Sequence, residues 1–457
     1  MIAALRREIR FMASESMFRV WLLVALILSS VAVITGLRDV SDQRETIVRL
    51  IAADRADRDA QLAQQTEWGS AAYNAFHLTY DPPSQFAFAA LGERDTLPWK
   101  HRIRALGLEG QIYETDASNP ELSLVGRFDL ALIAAFLLPL MIIVILHDLQ
   151  ARERQAGRET LLVSMAGPSL WTIRAGLRGI ALAACVLTPM LIGGVISKAS
   201  IGALLGASAI IMLHAFFWSA ICMAAAALGR SAAVTLAGLV ASWWLLAVLI
   251  PAGIRAVIDN SVPVAQGAQI ALIQRETIHR AWDLPKSTTM SAFTDAYPEW
   301  VNHAQVSRPF EWKWYFAFQE VGDLQVAELS RRYRSDIAAR EGLADRLAWL
   351  SPPALVERLL QRLAKTDMSA HLLYIDNVRA FHAALRQFYY PKLFREEPFD
   401  TAQLAALPTF DAQKTAIRPA RRAAVDSHLV ACTVTACFGE QSLASNNMDD
   451  VPRAFEP

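Results

Sequence analysis

The sequence predicts an all-α polytopic membrane protein, with five spanning helices and two long, mainly helical insertions outside the membrane. Three observations point there. Of 457 residues, 54% are hydrophobic while 19% are still charged, and the apolar residues gather into five blocks rather than spreading along the chain. Each block approaches the roughly 20 helical residues needed to cross about 30 Å of hydrocarbon. The charged residues concentrate in two long segments, 37–129 and 258–425, whose composition suits contact with water. Lys plus Arg equals Asp plus Glu, so no basic excess marks a nucleic-acid surface, and the expected partner is the lipid bilayer.

Taken in order, residues 1–19 place Ile2, Leu5, Ile9 and Met12 at helical spacing with arginines opposite. That pattern suits a helix lying in the cytoplasmic interface; a solvated amphipathic turn is the competing reading. Residues 20–36 form the first span. Nearly twenty residues precede its apolar core and no clean small-x-small site follows, which argues against a cleaved signal peptide. The second span covers 130–147, the third 179–196, the fourth 201–228 and the fifth 232–257. Short flanks set the orientation, since Lys and Arg accumulate on the cytoplasmic side. Arg6, Arg7, Arg10 and Arg19 precede span one; Arg152, Arg154, Arg158, Arg174 and Arg178 lie between spans two and three; Arg230 joins spans four and five. The opposite turn, between spans three and four, holds Lys198 alone. The amino terminus is therefore expected inside and both insertions outside.

Within the spans, Pro139, Pro189 and Pro251 should kink or end helices. Small residues over Gly202–Ala207 and Ala224–Ala227 allow close helix contact. His214, midway along span four, is a candidate intramembrane polar site, because an ionisable residue in lipid defaults to a functional hypothesis. The competing reading is a neutral imidazole bonded to a backbone carbonyl or a nearby Ser. Cys185 and Cys222 read as small buried hydrophobes. Cys432 and Cys437 lie in the tail, spaced for a bridge if that tail is external. The stretch His428 to Phe438 is about half the length of a span.

The first insertion opens with a charged helical run punctuated by Ile47, Leu50, Ile51 and Leu62, a helix rising from the membrane. Asp81-Pro82-Pro83-Ser84 breaks it, and mixed structure follows through Asn119-Pro120. In the second insertion, Val326, Leu329, Tyr333 and Ile337 keep helical spacing. Ser351-Pro352-Pro353 reads as a capped helix start feeding Leu355, Leu359, Leu360 and Leu363. The aromatic run Trp312, Trp314, Tyr315, Phe316 and Phe318 suits either an outer interfacial belt or the core of this insertion.

Catalytic patterns are missing. There is no phosphate-cradling Gly-rich loop with Lys and Ser/Thr, no His-Glu-x-x-His and no Gly-x-Ser-x-Gly. Glu276-Thr277-Ile278-His279 has the wrong order for a zinc motif. His371 and His382, three helical turns apart, are too distant to share one metal ion. No enzyme activity, cofactor or metal is expected.

Between spans two and three, Asp148-Leu149-Gln150-Ala151-Arg152-Glu153-Arg154-Gln155-Ala156-Gly157-Arg158-Glu159-Thr160-Leu161-Leu162-Val163-Ser164-Met165-Ala166-Gly167-Pro168 runs from a charged helical turn through a glycine and an apolar stretch to a Gly-Pro stop. A short rigid helix with an apolar face and a charged rim is a suitable docking knob. This segment resembles the coupling region of ABC-2-type permeases, on Glu153, Gly157, Thr160, Leu161, Leu162, Ser164 and Pro168. By that resemblance it docks on a cytosolic ATPase subunit and transmits its closure. Pro83, Ala87-Phe88, Gly92, Arg94-Asp95, Pro98, Gln111, Asn119-Pro120 and Phe128-Asp129 extend the likeness. Trp314-Tyr315-Phe316-Ala317-Phe318, Asp323, Ser351-Pro352-Pro353, Thr366-Asp367, Phe388 and Pro391-Lys392 carry it to about residue 425. Together they look like a bacterial ABC-2 subgroup with two large periplasmic insertions, known largely as a domain of unknown function. It is akin to the permeases that accompany gliding-motility and copper-enzyme maturation ATPases.

The resemblance implies a multi-pass subunit of a bacterial inner membrane, paired with a second permease copy or a paralogue and coupled to an ATPase, with export as its direction. It also implies a sixth span. Residues 426–457 instead follow Arg421-Arg422 with an atypical tail, which a frameshift or truncation would explain. Two rival functions stand beside transport: a sensor, which would need a signalling domain inside, and a scaffold for an envelope complex, which would need no ATPase.

Overall fold

Five helices carry the apolar blocks: Ser16–Ala63, Leu130–Gln155, Ser169–Ser197, Ile201–Ala227 and Ala232–Ser261, each long and apolar enough to cross a bilayer. The computed structural model describes residues 2–113, 128–167, 169–264 and 267–412. Asn119-Pro120, the tail from 426 with its short apolar stretch, and the place of the expected sixth span lie outside the described residues. The contacts below all fall within Met1–Phe410, one of two compact units. Helices dominate, and the protein is an all-α multi-pass membrane protein. Among the described residues the one sheet is an antiparallel pair, His77–Tyr80 with Lys100–Ile103, His77 lying opposite Ile103.

The first span continues as helix far beyond its apolar block. Ser16–Ala63 is one 48-residue helix, about 72 Å long at 1.5 Å per residue. Arg19 and Arg38 bracket about 29 Å of it, close to the hydrocarbon thickness. Residues 37 onward therefore extend the same rod. The helix preceding it, Ile2–Ser14, is separate, broken at Glu15, where the backbone turns extended.

Among the described residues two large apolar cores result, beside a small cluster of Leu62, Ala71 and Ala75. The bundle core is filled by Leu130, Ile133, Leu138, Ile142, Leu182, Val186, Ile211 and Trp218, all essentially solvent-free. The second core is built jointly by the insertions: Trp68, Ile103, Leu108 and Ile112 from the first pack with Phe293, Phe316, Phe318, Tyr374, Val378 and Leu385 from the second. Of the two readings of the aromatic run, the structure supports the domain core. Trp314, Phe316 and Phe318 are buried there, and Trp282 meets Trp314 edge-on at 5.3 Å.

Each insertion also sends a segment back to the bundle. Phe86–Ala90 and the helix Pro352–Ala364 contribute Phe88, Val356, Leu360 and Ala364 to the bundle core. They are joined to each other, with Thr366 Oγ1 donating to Ala90 O at 2.9 Å and Ser84 Oγ to Ala364 O at 2.5 Å. Residues 258–425 are thus not one uniformly solvated segment, because the apolar face of 352–364 finds its partners on the spans.

Candidate functional site

At the arginine-rich end of the bundle, the second-span helix turns at residues 147–150 and ends in the short helix Ala151–Gln155, which a second short helix, Glu159–Ala166, follows. Gly157 makes the corner with φ +69°, a left-handed conformation that strains any side chain bearing Cβ. The corner is stapled twice. Arg154 Nε donates to Glu159 Oε2 and Arg158 Nε donates to Glu153 Oε2, both at 2.8 Å. Glu153 is itself buried, so it braces the loop from within and lies off its outer surface.

Thr160, Leu161, Ser164 and Met165 face outward together, with Leu161 60% and Met165 75% exposed. Leu162 and Val163 turn the other way and pack on the bundle core. Pro168 lies outside the described residues. Three of the seven residues singled out from the sequence thus share one outer face: Thr160, Leu161 and Ser164. Glu153 and Leu162 point inward and Gly157 shapes the turn. Met165 was missed; its position four residues after Leu161, one helical turn away on the same face, is the signal that would have found it.

The base of the third span is tied to the amino-terminal helix. Arg174 Nε donates to Glu8 Oε2 at 2.7 Å, with both residues buried. Arg178 reaches both carboxylate oxygens of Glu15 at 3.0 Å, and Arg152 reaches Glu15 at 3.3 Å. Arg152, Arg174 and Arg178, counted in the sequence as orientation marks, thus have acidic partners. Removing one member of a buried pair strands the other charge, which typically costs about 3–5 kcal/mol. This network locks the loop, the third span and the amino-terminal helix into one joint.

In the middle of the bundle the spans carry two π-helical turns, Ile133–Leu137 and Leu245–Leu249, each just ahead of a proline, Pro139 and Pro251. Proline has no N–H to donate, so a carbonyl one turn earlier is left over. In the second span Ala135 O is that carbonyl, and His214 Nε2 donates to it at 3.1 Å. Its neighbour Phe136 O accepts from Trp243 Nε1 of the fifth span, also at 3.1 Å. In the fifth span Leu246 O accepts from Ser351 Oγ at 2.6 Å. His214 is buried and its imidazole is engaged by a backbone carbonyl.

The joint core of the insertions holds a further polar network. Asp323 accepts from the backbone N–H of Leu108 at 2.6 Å and of Glu109 at 3.1 Å. Burial first, and then the charge of Glu320, push its carboxyl up to about 7. Arg379 pairs with Glu109 at 2.9 Å, and Arg386 pairs with Glu320. These groups line a cavity of about 320 Å³. Glu109 and Glu320 each have an arginine partner, while Asp323 is held by N–H groups. His382 donates to Leu106 O at 2.7 Å, and among the described residues no three His, Cys, Asp or Glu side chains are grouped to hold a metal ion.

Fold and site together define the class: a multi-pass membrane protein whose two insertions share one composite core, with a short two-helix loop between its second and third spans. A family model described as a domain of unknown function (DUF3526) matches residues 268–413, most of the second insertion. No curated protein and no solved structure matches the chain.

Proposed function

We propose that this chain is the membrane-spanning permease subunit of an ABC-2-type transporter in a bacterial inner membrane, working as an exporter. Its amino terminus lies in the cytoplasm, its insertions in the periplasm. It pairs with a second permease copy or a paralogue, and a separate cytosolic ATPase supplies the energy. The observation that carries this reading is the outer face of Glu159–Ala166, where Leu161 and Met165 stand in solvent at the arginine-rich end. Apolar side chains rimmed by Thr160 and Ser164 on a short braced helix suit a groove on a partner.

The bracing matters as much as the face. A push on that helix passes through Leu162 and Val163 into the bundle and, two residues after it ends, into the third span. Transport on this reading needs no covalent change in the chain, since the energy enters as a population shift between two bundle conformations.

The test is affinity capture of the tagged chain from gently solubilised native membranes, with mass spectrometry of what copurifies. The reading expects an ATPase, lost in a Leu161→Asp, Met165→Asp variant that still inserts and stays folded. If the wild-type chain is abundant and folded but brings down no ATPase, the transporter reading fails and a scaffold or sensor role replaces it.

A further inference from the structure

The helix Pro352–Ala364 belongs by sequence to a charged insertion, yet one of its faces is part of the bundle. Val356, Leu360 and Ala364 are buried in the bundle core, and Leu363 packs against it. The opposite face is charged and turns to the helix Trp312–Leu347, where Arg358 meets Glu341 and Asp345 at 2.7 Å. Both ends are fixed on spans. Ser351 Oγ, which caps the helix, donates to Leu246 O of the fifth span. Near the other end, Leu363 Cδ1 is 3.4 Å from where a Cβ on Gly206 of the fourth span would stand.

These anchors set a depth. Along the fifth span, Leu246 lies about 24 Å from Arg230 and about 14 Å short of Arg255, at 1.5 Å per residue. It is therefore inside the apolar stretch between those charges. Around it Leu245, Val248 and Leu249 are all more than two fifths exposed, an apolar surface of the kind that lipid covers in a spanning helix. Trp349 and Leu350 immediately precede Ser351, and they are 74% and 58% exposed. An indole and an isobutyl group, held two and one residues from a bond to a mid-span carbonyl, stand beside the exposed apolar surface of the fifth span.

We propose that Trp349 and Leu350 insert into the bilayer, so that the second insertion contacts lipid directly instead of standing wholly in water. At that depth the indole ring of Trp349 gains by leaving water for hydrocarbon. Leu350 reaches the acyl chains beside it. The partner is the bilayer itself, because this patch adjoins exposed apolar side chains of a helix long and apolar enough to span it.

Spin labels test the depth. Nitroxides are placed at Trp349→Cys and, separately, Leu350→Cys in the full chain with its four native cysteines replaced, in phosphatidylethanolamine–phosphatidylglycerol vesicles. Val248→Cys serves as the lipid reference and Arg331→Cys, 74% exposed on the insertion, as the aqueous one. Relaxation by oxygen, which partitions into hydrocarbon, is compared with relaxation by nickel(II) ethylenediaminediacetate, which stays in water. Both labels should follow Val248→Cys, with oxygen dominant. Nickel-dominated relaxation matching Arg331→Cys overturns the proposal. So does spectral broadening that disappears on dilution with unlabelled chain, since it would mean that a second copy covers the patch.

Discussion

A proline inside a spanning helix removes one N–H, and hydrocarbon offers no water to replace it. The second span meets that need with His214, whose imidazole takes over the carbonyl of Ala135, four residues ahead of Pro139. If this is what His214 does, its value depends on the proline. His214→Ala should cost about 1 kcal/mol, the scale of a buried hydrogen bond between membrane helices. In a Pro139→Ala background residue 139 regains its N–H and the turn can close in ordinary helical register. The same His214→Ala change should then cost less than half as much. Reversible unfolding of the four variants in mixed micelles measures the cycle, and an equal cost in both backgrounds would sink the idea. Much of this was legible beforehand. Pro139, Pro251 and His214 stand out in the sequence, and a backbone-bonded imidazole was one of its two readings. What the sequence lacks is adjacency. Nothing in the spacing of span four says that His214 faces the turn before Pro139, nor that Ser351, over a hundred residues on, serves Leu246.

At the scale of elements, hydropathy locates the membrane and says little about where a helix ends. The apolar block of the first span stops near Gly36, but the residues that follow are good helix formers, and the rod runs on to Ala63. Gly36 is better explained by its neighbour than by the boundary. A Cβ there would stand 2.1 Å from Phe88 O, so the glycine lets the Phe86–Ala90 turn lie against the span. Because the clash is with backbone, no side-chain rotation relieves it. Gly36→Ala should therefore destabilise by about 1–3 kcal/mol, as overpacking does. Gly238→Ala, in the fifth span with open space around it, should be neutral or stabilising by up to about 1 kcal/mol. Thermal unfolding in micelles compares them directly; a Gly36→Ala variant as stable as Gly238→Ala would mean that the turn does not seat on the span. The helix after Ser351 shows the same division of knowledge. Its cap and apolar face were readable from Ser351-Pro352-Pro353 and the leucines, but an amphipathic pattern cannot name the surface it will meet.

At the scale of the molecule, the insertions are far apart in sequence and share one core. The family match at 268–413 covers the second of them without the first. Within that match, Trp312–Leu347 and Met368–Phe394 present apolar faces that are completed by Trp68, Ile103, Leu108 and Ile112, all from residues 64–113. Polar groups cross the same boundary. Asp323 relies on the N–H groups of Leu108 and Glu109, Arg379 on the carboxylate of Glu109, and His382 on the carbonyl of Leu106. Without residues 64–113 a 268–413 fragment would expose several large apolar side chains, each worth about 1.5–3 kcal/mol when fully buried, and would leave polar groups at the interface without their partners. Against the usual 5–15 kcal/mol of net stability, that loss is decisive. The fragment alone should therefore be loosely packed, with amides of Met368–Phe394 exchanging within seconds. Joining residues 64–113 to it through a glycine–serine linker should slow that exchange by orders of magnitude, read by hydrogen–deuterium mass spectrometry in mild detergent that shields the apolar face of 352–364. Equal protection in the two fragments would show that the second insertion folds by itself, and that the shared core is a docking contact between finished units.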